Sequence, residues 1–126
     1  MVGLLVVSHS ADAARGISDI AAEMGGADAE IVPVGGDPDG GIGTSVPDIQ
    51  DALEAMDAAE VVVLVDLGSA VMNAEMAVET SEKDVVVADA PILEGALNAA
   101  VEASSSKATL DSVRESAEEA RDVSKT

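Results

Sequence analysis

No phenylalanine, tyrosine or tryptophan occurs among the 126 residues. The chain therefore has no aromatic face to offer a flavin ring or a nucleic-acid base. Cysteine is also absent, which excludes disulfides and thiolate metal sites. Basic residues number 6 against 25 acidic ones, a formal charge of −19. Nucleic-acid binding needs clustered lysine and arginine, so that class is excluded. The same imbalance argues against anionic membrane surfaces. No apolar run approaches the roughly 20 residues of a membrane span. The first apolar run, residues 2–7, is too short and lacks the basic flank of a signal peptide. A cytoplasmic location is expected. Histidine is nearly absent as well: His9 is the only one.

What remains is an apolar content of 48%, enough for a globular protein rather than a disordered acidic tail. A single domain over 1–126 is expected, burying about two thirds of the surface that the unfolded chain exposes. Its core must be assembled from Ala, Val, Leu, Ile and Met. An acidic surface of this kind repels itself at low salt and is relieved by concentrated salt. The balance resembles that of cytoplasmic proteins from extreme salt-loving organisms, so the charge reads first as adaptation to solvent.

Short apolar runs at 2–7, 29–34, 61–65 and 85–88 are rich in Val with Ile or Leu and lack polar alternation, as expected of strands covered on both faces. Helical periodicity separates them. Ala13, Ile17, Ile20, Ala21 and Met24 form a first stripe, stopped by Gly25-Gly26. Pro47 suits the first position of a second helix, with Ile49, Ala52, Leu53 and Met56 as its stripe. A third helix is expected from near Ser69 to Val78, and a fourth after Pro91 with Leu93, Leu97, Ala100 and Val101 inward. Residues 108–126 read as a C-terminal surface helix. The glycines of 35–44 mark a loop inside the domain.

Alternating strands and helices predict an α/β fold, a doubly wound and mainly parallel four-stranded sheet of order 2-1-3-4 with helices on both faces. In that order the ligand crevice opens at the carboxyl ends of strands 1 and 3. Strand 1 ends in Ser8-His9-Ser10 and strand 3 in Asp66-Leu67-Gly68-Ser69, so His9 is placed beside Asp66. A carboxylate on one ring N–H fixes the tautomer and leaves the other nitrogen as base, ligand or nucleophile. One histidine without cysteine leaves only carboxylates as metal co-ligands, so no metal is expected. Ser8 and Ser10 adjoin the histidine, but a nucleophile elbow is absent. Phosphoryl transfer fits better. Helix starts at Ser10 and at Gly68-Ser69 would aim backbone N–H groups at an anion. The bland readings are a capping histidine, a turn-forming Asp66 and an N-cap Ser69.

Four segments then occur in one order: 7–10 (Val-Ser-His-Ser), 35–45 (Gly-Gly-Asp-Pro-Asp-Gly-Gly-Ile-Gly-Thr-Ser), 66–70 (Asp-Leu-Gly-Ser-Ala) and 90–96 (Ala-Pro-Ile-Leu-Glu-Gly-Ala). Over about residues 1–103 the chain resembles the phosphotransfer subunits of phosphoenolpyruvate-dependent dihydroxyacetone kinases, the DhaM family, which has the mannose-type enzyme IIA fold. The resemblance implies that His9 takes phosphate from the carrier protein HPr and passes it to ADP on the kinase's nucleotide-binding subunit. It implies Asp66 as the residue orienting His9, Ser10, Gly68 and Ser69 as the phosphate rim, no cofactor and a homodimer. Related family members continue into carrier-like domains, so a separate donor protein is expected here. Sugar-transport relatives carry glycine after the histidine and a tryptophan turn after strand 3, where this chain has Ser10 and Leu67-Gly68-Ser69-Ala70. The alternatives are a mannose-type IIA component of sugar transport and a flavodoxin-like binding module. The glycine-rich loop has a plain reading as a flexible connection, since it lacks the lysine of a P-loop. Arg15 is the basic residue nearest in sequence to His9, and Glu94 reads as structural.

Overall fold

The computed structural model describes residues 1–26 and 28–126. Strands and helices alternate as β1 (Val2–Ser8), α1 (Ala11–Gly25), β2 (Ile31–Gly35), α2 (Val46–Ala55), β3 (Glu60–Val65), α3 (Gly68–Glu79), β4 (Asp84–Val87) and α4 (Ile92–Ala103). A further helix, α5 (Leu110–Glu118), runs into a 3-10 turn at Glu119–Asp122. All three strand pairings are parallel and the order is β2-β1-β3-β4, as the sequence pattern predicts. No described helix is long and apolar enough to cross a membrane.

The two faces of the sheet separate by residue parity, because successive strand side chains point to opposite sides. Val2, Leu4 and Val6 with Val62 and Leu64 face α1, α4 and α5, meeting Ala21, Ala96, Ala99, Ala100, Val113 and Ala117. Leu5 and Val7 with Val61, Val63 and Val65 face α2 and α3, meeting Ile49, Leu53, Ala70, Ala74 and Ala77. Each fully buried Leu or Val contributes about 1.5–3 kcal/mol relative to exposure. Without aromatic rings, strand valines pack against helix alanines, and the layers lie close. A Cβ added to Gly95 in α4 would sit 2.9 Å from the Ala90 Cβ and 3.2 Å from a Leu64 methyl.

Several expectations shift. β2 and β4 are the edges and only half-buried, not covered on both faces. β2 begins at Ile31; just ahead of it the Glu30 carbonyl still accepts the Leu4 amide at 2.8 Å, while its carboxylate accepts the Asp57 and Ala58 amides, both at 2.9 Å. Pro33 lies in this edge strand, where a missing N–H is tolerated. Pro47 is one place further into α2, behind the Ser45 N-cap and Val46. The buried face of α1 is Ala14, Ser18 and Ala21, while Ile20 and Met24 are exposed. In α4, Val101 likewise points outward and Gly95, Ala96, Ala99 and Ala100 point in. The C-terminal helix is half core: Val113 and Ala117 are fully buried and Thr109 caps it in a reciprocal box with Ser112.

Candidate functional site

β1 and β3 run side by side, with Val7 opposite Val65. Their next residues, Ser8 to His9 and Asp66, emerge together at the carboxyl edge. From β1 the chain winds to β2 on one side, and β3 lies on the other, so this edge is the switch point where doubly wound sheets bind ligands.

Asp66 receives three donors there. Its Oδ1 lies 2.9 Å from His9 Nδ1. Its Oδ2 accepts the His9 amide at 2.9 Å and the Ser8 hydroxyl at 2.8 Å. Burial alone would raise the Asp66 pKa, but these hydrogen bonds from His9 and Ser8, together with the His9 charge, outweigh it and hold the carboxyl below its ordinary value. An ionised Asp66 can only accept, so His9 Nδ1 carries a proton, and in the neutral ring the lone pair then falls on Nε2. Nε2 in turn lies 2.7 Å from the Ser69 hydroxyl, which donates to it when the ring is neutral. The His9 side chain is 18% exposed, and the open part is this Nε2 edge.

Ser69 reaches the ring because it does not cap α3. The N-cap is Leu67, which makes no side-chain capping bond, so Ser69 sits in the first turn with its hydroxyl free for His9. The amides of Gly68 and Ser69 belong to the turn whose donors lack intrahelical acceptors. Gly68 is unobstructed, with nothing within 4 Å of where a Cβ would lie. Of the residues singled out in sequence, His9, Asp66 and Ser69 are thus brought together, with Gly68 beside them. Ser10 stands at the start of α1, as its sequence position implied: it is the N-cap, accepting the Ala13 amide at 3.2 Å and donating its own amide to Ser8 Oγ at 3.1 Å. Arg15 is paired with Asp12 at 2.9 Å on the exposed face of α1. Glu94 is engaged with Lys125 from the C-terminal segment.

Three contributors were in view in the sequence but given no site role there. Ser8 is buried and bonded to Asp66; its signal was a hydroxyl closing an otherwise apolar strand. Gly35 ends β2 where a Cβ would stand 2.6 Å from the Ser8 carbonyl oxygen and 2.7 Å from that of Ser10, so only glycine lets β2 close on the histidine turn. Gly43, at φ +152°, donates its amide to the His9 carbonyl at 2.8 Å. The glycine-rich loop is an ordered brace rather than a loose connection. Asp37 Oδ1 accepts the Asp39 and Gly41 amides at 2.9 and 2.8 Å, and Thr44 bonds Asn73 of α3. A cavity of about 370 Å³ adjoins the site on the β4 side, lined by Asp66, Gly68, Val71 and Val87 with Glu75 and Asp89; His9 is not among its walls.

Residues 3–114 match the protein family described as the PTS system fructose IIA component, EIIA-man. The chain is 46% identical over 94 residues to the phosphoryl donor subunit DhaM of PEP-dependent dihydroxyacetone kinase 1 from Listeria innocua serovar 6a, covering 75% of each chain. It is 34% identical to the DhaM subunit of dihydroxyacetone kinase 2 from the same organism, covering 81% of this chain and 86% of that one. A crystal structure of a protein of unknown function, 30% identical, superposes with a TM-score of 0.81 over 94% of this chain and 93% of the other.

Proposed function

The chain belongs to the mannose-type enzyme IIA family of the phosphotransferase system, and from that premise we propose that it is the phosphocarrier subunit of a PEP-dependent dihydroxyacetone kinase. In this reading His9 takes a phosphoryl group from the phosphohistidine carrier HPr and delivers it to ADP held on the kinase's nucleotide-binding subunit. The observation that carries it is the ring itself: Nδ1 2.9 Å from the Asp66 carboxylate and Nε2 2.7 Å from the Ser69 hydroxyl.

The Nε2 lone pair attacks the phosphorus of the donor phosphohistidine. The new N–P bond forms as the donor's N–P bond breaks, and that electron pair returns to the donor's imidazole. Asp66 stabilises the positive charge that develops on the His9 ring, and the Nδ1 proton stays in place. The Ser69 hydroxyl exchanges the lone pair for a phosphoryl oxygen, and the Gly68 and Ser69 amides supply further donors. Delivery reverses the geometry, with a terminal oxygen of ADP as nucleophile and Nε2 as leaving group. Ser10 shapes this rim as the cap of α1, so its role is to hold the turn.

Incubation with phosphoenolpyruvate, enzyme I and HPr is expected to place acid-labile phosphate on the wild-type chain and none on His9→Ala. Label that survives His9→Ala removes the assignment. The family description also admits a IIA component of sugar transport. Delivery to an ADP-loaded kinase subunit, rather than to a membrane-associated sugar-specific partner, separates the two.

Three further points belong to the same reading. The whole chain acts as one IIA domain in the cytoplasm, where both partners reside. It is a homodimer: β4 is an edge strand, and Met72 and Met76 on the adjoining α3 are exposed. A monomer mass at micromolar concentration in sedimentation equilibrium would remove the dimer.

A further inference from the structure

We propose that Ser8 is a positioning residue for phosphoryl transfer: its hydroxyl, donated to Asp66 Oδ2, clamps the carboxylate so that Oδ1 keeps the proton on His9 Nδ1 and leaves Nε2 as the nucleophile. This rests on the reading of His9 as the phosphoryl acceptor.

β1 is apolar from Val2 to Val7, and Ser8 alone brings a side-chain hydroxyl into it. At 2% exposure that hydroxyl is withdrawn from water, a cost unless it is bonded. It is bonded twice, donating to Asp66 Oδ2 at 2.8 Å and accepting the Ser10 amide at 3.1 Å. Ser18, another buried serine, shows the contrast: its Oγ has no hydrogen-bond partner.

The geometry assigns the two carboxylate oxygens separate tasks. Oδ1 meets the ring, and Oδ2 meets two donors from consecutive residues, the Ser8 hydroxyl and the His9 amide. A carboxylate turns freely about its Cβ–Cγ bond, since that torsion is broad. One donor on Oδ2 leaves it able to swing; two donors in different directions fix its plane, and with it the position of Oδ1. Ser8 also joins this clamp to α1 through the Ser10 amide. The carboxylate from β3 and the turn from β1 to α1 are thereby held by one buried hydroxyl. It never touches the transferred group, so its effect must pass through Asp66.

The single histidine makes the test unambiguous, because a uniformly 15N-labelled chain has only two imidazole nitrogens. In the wild type at neutral pH, Nδ1 is expected at a protonated-nitrogen shift and Nε2 at a lone-pair shift. Ser8→Ala should bring the two resonances toward each other as the tautomers mix. It should slow single-turnover transfer from phospho-HPr about tenfold, with half-saturation by the donor unchanged. Ser8→Thr, which keeps the hydroxyl, should restore both readouts. A folded Ser8→Ala with wild-type shifts and rate overturns the proposal. So does a slower variant with unchanged shifts, which would place the role of Ser8 in packing. If Ser8→Ala does not fold, the wild type still decides: a ring protonated on Nε2, or averaged between tautomers, overturns it. A wild-type chain that takes no phosphate from HPr yet shows the expected ring shifts would instead remove the phosphocarrier reading and leave the clamp standing.

Discussion

The two nitrogens of the His9 ring have different tasks because their neighbours differ: a carboxylate on one and a hydroxyl donor on the other. Asp66→Asn replaces a charge-assisted bond, worth about 1.5–3 kcal/mol, with a neutral one. His9 phosphorylation by HPr is then expected to slow about 10- to 100-fold, measured by rapid quench of labelled phosphate; a wild-type rate would contradict the orienting role. The same substitution has a signature in stability. Because Asp66 titrates lower in the folded chain than in the unfolded one, the stability it contributes is complete above about pH 4 and fades as the pH falls through its folded value. The difference in urea midpoint between wild type and Asp66→Asn should therefore shrink below pH 4. A difference that is constant from pH 7 to pH 3 would contradict it.

At the scale of elements, what was legible was whatever period and punctuation control. The Val-rich runs of β1 and β3, the Gly25-Gly26 stop and Asp66 at the end of β3 all act through local chemistry, and each appears where the pattern puts it. The inward faces of α1 and α4 were legible only in part: Ala21, Ala100 and Ile17 lie on the core as read. Hydrophobicity favours Ile20, Met24 and Val101, yet alanines and a serine face the sheet. One reason is spacing: a Cβ on Gly25 would lie 2.8 Å from the Ala100 Cβ and 3.0 Å from the Leu97 carbonyl oxygen, so α1 and α4 approach closely at this point and small residues fill most of the seam. Ser8 and Gly35 were hidden for a related reason. Their importance lies in contacts between β1, β2 and β3 that no single segment contains. Gly35→Ala should cost about 1–3 kcal/mol through overpacking, lowering the urea midpoint at unchanged slope and slowing His9 labelling. An unchanged midpoint would mean that β2 can yield at this point.

For the whole molecule the dominant quantity is the charge of −19. Pairs such as Arg15–Asp12 and Arg121–Asp89 are exposed and about 3 Å long, and pairs of that kind contribute about 0–1 kcal/mol. They do not offset the repulsion. Screening does: the Debye length falls from about 10 Å at 0.1 M salt to about 3 Å at 1 M. The urea midpoint is expected to rise steadily between 0.1 and 2 M KCl, and to respond much less to a neutral solute. A midpoint indifferent to KCl would remove the salt-adapted reading of the surface. Finally, the His9 side chain is only 18% exposed. If Nε2 is the phosphoryl site, as proposed, two proteins cannot stand on it together, so loading and unloading would alternate and each chain would hold one phosphoryl group or none. Averaged over many chains, the occupied fraction is the ratio of filling to total turnover. It rises when phosphoenolpyruvate is plentiful and falls when the acceptor is, so the population works as a gauge of supply against demand as well as a conduit.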